Sequence, residues 1–181
     1  NILFRNFPII IGHVGEVASP GQFITHNETG VPILVTRNYD NQIKAFINVC
    51  RHRGAKVTSE TCGHAKTFSC PYHGWTYDLN GTLRGIPQPF GFEGLDKNKY
   101  GLVELAAYEQ FGLIWVVPSV QKKDIDIISW LKPMEEQLKS LNLCSYKIFR
   151  KWSVPLKMNW RIALEGFQES YHFCSAHKDT A

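Results

Sequence analysis

The chain has 181 residues, 44% of them hydrophobic and 20% charged, with a formal net charge of +4. That apolar content can bury one sizeable core and part of a second. The lysines and arginines are scattered rather than gathered into a run, which argues against a nucleic-acid partner and leaves only a weak bias towards an acidic redox partner. No segment reaches the roughly 18 apolar residues of a membrane helix, so no membrane partner is expected.

From Phe7 to Val49 the pattern is strand after strand. PIIIGHV, QFITHN, VPILVTR and QIKAFINV are short runs rich in β-branched residues, punctuated by Ser19-Pro20-Gly21, Asn27-Glu28-Thr29-Gly30 and Asn38-Tyr39-Asp40-Asn41. Four antiparallel strands are expected, with His13 and His26 inside them as ordinary side chains. They lead into CRHRGAKVTSETCGHAKTFSCPYHGWTY, residues 50–77. Here Cys50 and His52 form C-x-H, Cys70 and His73 form C-x2-H, and seventeen residues separate His52 from Cys70.

One Cys and one His from each of two loops is the donor set of a [2Fe-2S] cluster with two thiolates on one iron and two imidazoles on the other. Structural zinc sites favour C-x2-4-C paired with H-x3-5-H, so zinc is the lesser reading. Chance spacing is weaker still, because each loop carries a glycine directly behind its ligands, in Arg53-Gly54 and His73-Gly74. Glycine allows close backbone approach, so that amide N–H groups can point at the cluster sulfurs. The pattern resembles a Rieske centre. Respiratory-type Rieske proteins staple their loops with an extra Cys in each, and Ala55 and Tyr72 stand at those places here. CRHRG and CPYHGWTYDLNG resemble instead the Rieske domain of ring-hydroxylating and related non-haem iron oxygenases. That resemblance implies Trp75 as a cover over the cluster and Arg51 beside its histidines. Cys62, Cys144 and Cys174 show no pairing pattern, which fits a reducing compartment, and a cytoplasmic location is expected.

Beyond the second loop, Leu79-Asn80-Gly81 reads as a hairpin turn between Tyr77-Asp78 and Thr82-Leu83. A Pro/Gly-rich stretch from Gly85 to Gly94 reads as an irregular loop, and YGLVELAAYEQFGLIWVVP as two strands turning near Glu109 to Gly112. Pro118 is read as the end of the first domain. Residues 121–143 have apolar side chains at helical spacing interrupted by Pro133, giving a short helix into a second one. SYKIFRKWSV alternates and is read as the first strand of a new sheet. A helix is expected from about Lys157 towards His172.

That last helix carries Glu169, His172 and His177 in the order E-x2-H-x4-H. Mononuclear Fe(II) oxygenases use two histidines and one carboxylate on one face of the metal. Residues five apart on a helix diverge by about 140°, so a break is predicted near Cys174 to Ala176. NWRIALEGF followed by ESYHFCSAH resembles the opening of the oxygenase catalytic domain, with Gly166 in place of an asparagine common in that family and Glu169 where many members have Asp. By this resemblance Glu169 is the bridging carboxylate that links the iron site of one subunit to a Rieske histidine of the next, which implies a head-to-tail homotrimer. The third iron ligand would come from further downstream. Asp179 is the only carboxylate beyond His177 and is too near it in sequence.

The sequence therefore predicts an α+β protein. Residues 1–118 form an all-β Rieske [2Fe-2S] domain, and residues 119–181 open a helix-over-antiparallel-sheet (helix-grip) catalytic domain. The chain is expected to be a fragment of a longer α subunit. The resemblance implies electrons from NAD(P)H through a reductase, possibly with a ferredoxin, reaching the cluster on Cys50, His52, Cys70 and His73. They then pass through Glu169 to Fe(II) on His172 and His177, where O2 is used to oxidise a small organic substrate. The alternative is a Rieske electron carrier without oxygen chemistry.

Overall fold

A computed structural model describes residues 3–122 and 125–177. After the short helix α1 (Leu3–Asn6), eleven strands follow among the described residues: β1 (Ile9–His13), β2 (Gln22–His26), β3 (Ile33–Arg37), β4 (Ile43–Ile47), β5 (Cys62–His64), β6 (Thr67–Ser69), β7 (Thr76–Asp78), β8 (Leu83–Gly85), β9 (Glu104–Leu105), β10 (Ala107–Gln110) and β11 (Leu113–Val116). They build three antiparallel sheets in the orders β1-β11-β10, β5-β2-β3-β4-β9 and β6-β7-β8.

The four runs before Cys50 are strands, but only three are neighbours. β1 leaves them and pairs with β11, Ile10 opposite Trp115, which joins the two ends of the β domain. Strand β3 is central in the five-stranded sheet and buried along its whole length, so its alternation serves two cores. Leu34 faces a core with Phe23, Phe46, Cys50, Cys70, Trp75 and Tyr77. Ile33 and Val35 face the other, with Ile11, Ile114 and Val116. The ligand loops thus sit on one face of this sheet and the β1-β11-β10 sheet packs on its opposite face.

Arg37, the last residue of β3, is buried and fully engaged. Its guanidinium donates to the carbonyls of Val17 and Asn41 and pairs with Glu109 at 2.8 Å, tying β3 to β10 across the core. Helix α2 (Ile127–Leu131) is capped by Asp126, whose side chain accepts from Ser129 N. It packs Ile127 and Leu131 on Trp115 and Val117, the outer face of β11. Helix α3 (Glu135–Ser140) follows a 3-10 turn at Pro133. The first compact unit accordingly runs past Pro118, over Asn1–Ile148, and Phe149–Ala181 forms the second.

In that second unit the alternating segment after Ser145 is not a strand. No neighbouring strand among the described residues satisfies its backbone, and it runs without regular structure to Lys157. Helix α4 (Trp160–Gln168) begins where Asn159 accepts a hydrogen bond from Arg161 N. It ends at Glu169, and a single helical turn, α5 (Phe173–Ala176), follows. No described side chain from 149 to 177 is buried, and Phe149, Phe167 and Tyr171 are almost wholly exposed. None of the helices among the described residues is long and apolar enough to cross a membrane.

Candidate functional site

Both ligand loops are built on the same backbone turn. In the first, Cys50 N donates to Ala55 O (2.8 Å) and Gly54 N to Cys50 O (3.1 Å). In the second, Cys70 N donates to Trp75 O (2.8 Å) and Gly74 N to Cys70 O (2.9 Å). The turn closes through a left-handed residue, with φ of +77° at Gly54 and +70° at Gly74. A Cβ at Gly74 would lie 2.8 Å from Pro87 Cγ, whereas one at Gly54 meets nothing within 4 Å. Gly74→Ala should therefore combine backbone strain of about 1–2 kcal/mol with a clash and displace the second loop. Gly54→Ala should show the strain alone, and thermal melts of the two variants measure the difference.

The first loop is pinned from below by Asn48, which is 1% exposed. Its Oδ1 accepts from Val57 N (3.2 Å) and Thr58 N (3.1 Å), and its Nδ2 donates to Thr58 O (2.8 Å). Asn48→Ala leaves these three backbone groups, one buried and two part-buried, without their partner. A stability loss of roughly 2–4 kcal/mol in denaturant unfolding is expected.

Cys50 and Cys70 are buried in the same core. Burial pushes the Cys70 thiol up from its ordinary pKa, and the backbone amides of Tyr72 and His73 pull the other way. These are amides of the kind expected to face a cluster sulfur. The rings of His52 and His73 lie 4.6 Å apart between centroids. Burial, then His73, then Arg53 hold His52 below the usual imidazole pKa, keeping it neutral and able to ligate. Trp75 covers His52, stacked at 4.9 Å and 8° and itself 2% exposed, while Tyr72 lies against His73 at 3.9 Å. Arg51 is exposed beside them.

Sequence reasoning missed Tyr77. Its hydroxyl accepts from Arg51 N (3.0 Å) and lies 3.3 Å from Cys50 Sγ, so its own proton is directed at that sulfur. Burial raises its pKa, followed by the Cys50 side chain, and keeps the donor protonated. The alternation of Thr76-Tyr77-Asp78 was the available signal, since the middle residue of a strand ending a ligand loop points inward. A hydrogen bond to a cluster sulfur favours the reduced state. Tyr77→Phe should lower the midpoint potential by roughly 50–100 mV, read by redox titration.

The residues fit a [2Fe-2S] cluster on one observation in particular: His52 Nδ1 is buried and has no hydrogen-bond partner among the described residues. An imidazole nitrogen in that state needs a cation or a donor to face it. Paired buried thiols on the other side need positive charge to exist as thiolates. No three His, Cys, Asp or Glu side chains among the described residues are arranged around one ion. The four residues form a buried thiol pair and a facing imidazole pair.

The second constellation is a pair of histidines with a carboxylate behind one of them. The chain breaks at Glu169 (φ −112°, ψ 147°) rather than at Cys174 to Ala176. The turn α5 fills the place of the expected break, with His172 and His177 at its two ends. The reason is local. Leaving the helix lets Glu169 Oε1 accept from His172 Nδ1 while Oε2 accepts from Tyr171 N at 2.6 Å. A hydrogen bond from the His172 side chain, the largest contribution, holds the Glu169 carboxyl below its usual pKa. With Nδ1 engaged, His172 keeps Nε2 available, and its ring centre lies 5.3 Å from that of His177. Both line an open cavity of about 700 Å3 with Leu156, Met158, Gly166 and Phe167. Asp179 lies outside the described residues.

Residues 7–100 match the Rieske [2Fe-2S] domain family, and residues 143–181 match the catalytic domain of ring-hydroxylating α subunits. The chain is 30% identical to the oxygenase subunit of glycine betaine monooxygenase from Chromohalobacter salexigens, over 98% of this chain and 39% of that one. It is 35% identical to the large oxygenase component of a naphthalene 1,2-dioxygenase system from Pseudomonas aeruginosa, over 97% of this chain and 40% of that one. The chain thus spans about two fifths of the length of these relatives. A crystal structure of a quaternary ammonium Rieske monooxygenase with L-carnitine superposes with a TM-score of 0.88 at 27% identity, covering 99% of this chain and 52% of that one. With both the domain pair and the fold in agreement, the chain belongs to the α-subunit family of Rieske non-haem iron oxygenases.

Proposed function

We propose that this chain is the electron-receiving part and the first half of the iron site of an oxygenase that uses O2 and one-electron deliveries to oxidise a small organic substrate. In this reading residues 1–118 are the Rieske domain and residues 119–181 open the catalytic domain. The observation that supports it most is the coexistence of two histidine sites of different design: a buried Cys/His quartet on twin loops, and an open His pair backed by Glu169 beside a cavity.

When bound, the cluster supplies single electrons and the mononuclear Fe(II) supplies a site at which O2 is reduced. Cys50, His52, Cys70 and His73 are the residues that would hold the first, and His172 and His177 two of those that would hold the second. Tyr77 and the amides of Tyr72 and His73 stabilise negative charge on the sulfurs. Trp75 excludes water from His52. Glu169 fixes the His172 tautomer, and its remaining lone pairs can accept one further N–H. An imidazole of another subunit's Rieske loops fits that vacancy in hydrogen-bonding capacity, which is the basis for a head-to-tail homotrimer. A reductase drawing on NAD(P)H, with or without a ferredoxin, is the electron source. The wall formed by Leu156, Met158, Ile162, Phe167 and Phe173 suits an apolar portion of the substrate.

The test is NADH-dependent O2 uptake by the full-length protein with its reductase, alongside His172→Ala/His177→Ala. Uptake that depends on both histidines is expected. Cluster reduction without any O2 uptake in the parent would instead identify an electron carrier.

A further inference from the structure

The turn that follows the second ligand loop is fastened to the middle of the five-stranded sheet. Thr36, on β3, is buried on the face that carries Leu34, and its Oγ1 donates to Leu79 O at 2.7 Å. Just past the end of the strand, on the same face, Asn38 is buried and its Nδ2 donates to Asn80 Oδ1 at 2.8 Å. The turn also lies directly on β4: a Cβ at Gly81 would stand 2.5 Å from Phe46 Cε1. Gly81 O accepts from Leu102 N at 2.7 Å, which closes the seat.

Leu79 comes two residues after Tyr77, and both side chains are buried in the core that holds Cys50 and Cys70. β7 joins them as extended chain, so a hold on Leu79 O fixes where Tyr77 sits along the strand. At the far end of that ring, the hydroxyl stands between Arg51 N (3.0 Å) and Cys50 Sγ (3.3 Å). Cys50 itself follows the end of β4 by three residues, and β4 is registered on β3 with Ile47 opposite Ile33 and Lys44 opposite Thr36. Both ligand loops are therefore referred to one strand, the first through the β3–β4 ladder and the second through Thr36.

We infer that Thr36 is a positioning residue for the cluster: its hydrogen bond to Leu79, with Asn38 on Asn80 as a second hook, sets the reach of the Tyr77 hydroxyl to the Cys50 sulfur and through it the reduction potential. Hydrogen bonds weaken steeply as they bend, so a small slide of β7 alters this contact before it alters the fold. Hydrogen bonds to the sulfurs are among the levers that set such a potential. The inference rests on the reading of Cys50, His52, Cys70 and His73 as cluster ligands and adds to it a residue outside both loops.

The experiment is an EPR-monitored redox titration of the cluster-loaded, full-length protein. The variants are Thr36→Val, Thr36→Ser and Asn80→Ala, with Thr36→Val and Asn80→Ala made also in a Tyr77→Phe background. Val keeps the shape and removes the hydroxyl, whereas Ser keeps the hydroxyl. Asn80 is exposed, so its truncation removes the second hook with little threat to folding. At a fixed potential Thr36→Val should move the ratio of reduced to oxidised cluster about threefold towards oxidised, in the direction of Tyr77→Phe and by less. Asn80→Ala should move it about twofold the same way, and Thr36→Ser should stay near the parent. With Tyr77→Phe already present, neither change should add a shift, because the group they position is gone. Shifts of equal size with and without the Tyr77 hydroxyl would overturn the inference, as would a Thr36→Val protein with the parent's potential. If Thr36→Val does not retain the cluster, Asn80→Ala decides by the same comparison. All these outcomes leave the cluster itself standing; a parent with no Rieske EPR signal would remove the ligand reading instead.

Discussion

A His52→Ala variant is expected to lose the [2Fe-2S] chromophore and EPR signal completely, with acid-labile sulfide falling to background. His52 Nδ1 is the buried nitrogen left without a partner, and the ring is fixed by Trp75 on one side and His73 on the other, so no neighbouring side chain can substitute for it. The loss should extend to stability. Cys50, Cys70 and Trp75 belong to the same core as Phe23, Leu34 and Phe46, and burial of two thiols with no cation between them leaves that core poorly satisfied. A melting transition lowered by several degrees is expected, whereas Cys62→Ala, at an exposed position on β5, should keep both cluster and melting point. An unchanged spectrum in His52→Ala would remove this residue from the ligand set.

The second large effect is expected at Glu169. It holds His172 through Nδ1 and is itself held by Tyr171 N, so its removal frees the imidazole to rotate and to exchange tautomers. Loss of such a supporting carboxylate costs roughly 10- to 100-fold in metal affinity or activity. Glu169→Ala should therefore retain the Rieske spectrum and its potential but lose O2-coupled turnover by about 100-fold. Glu169→Gln, which can still accept from His172 but carries no charge, should fall between the two. Turnover near that of the parent in both variants would leave Glu169 as an exposed carboxylate that happens to meet a histidine.

Much of this was legible in the sequence because the chemistry is local. Each ligand pair sits within four residues, and its glycine is a conformational requirement visible as a residue type. The strands before Cys50 were legible for a similar reason: β3 opens with the apolar, β-branched-rich run Ile33-Leu34-Val35, and the turns between β2, β3 and β4 carry their usual residues. What was not legible depends on distant partners. The pairing of β1 with β11 spans almost the whole β domain, and nothing in PIIIGHV distinguishes it from a neighbour of β2. The short strands β5 and β6 lie in the spacer between the ligand loops, where CGH and TFS are too brief to show a period. Asn48 and Tyr77 act through hydrogen bonds to residues 9 to 27 positions away. SYKIFRKWSV shows the opposite failure, since its alternation is real but a strand needs a neighbour to bond to. The helix ends at Glu169, one turn before the break that the spacing of His172 and His177 predicts, because Glu169 leaves the helix to meet His172 Nδ1.

The most direct test of two metal centres in one α subunit is the iron and acid-labile sulfide content of the full-length protein, with an EPR spectrum after dithionite reduction, beside His172→Ala/His177→Ala. The expected result is a Rieske signal in both proteins and about three irons per chain in the parent, falling to about two in the variant. An equal iron count in the two would contradict the account, leaving His172 and His177 as ordinary side chains and the chain as an electron carrier.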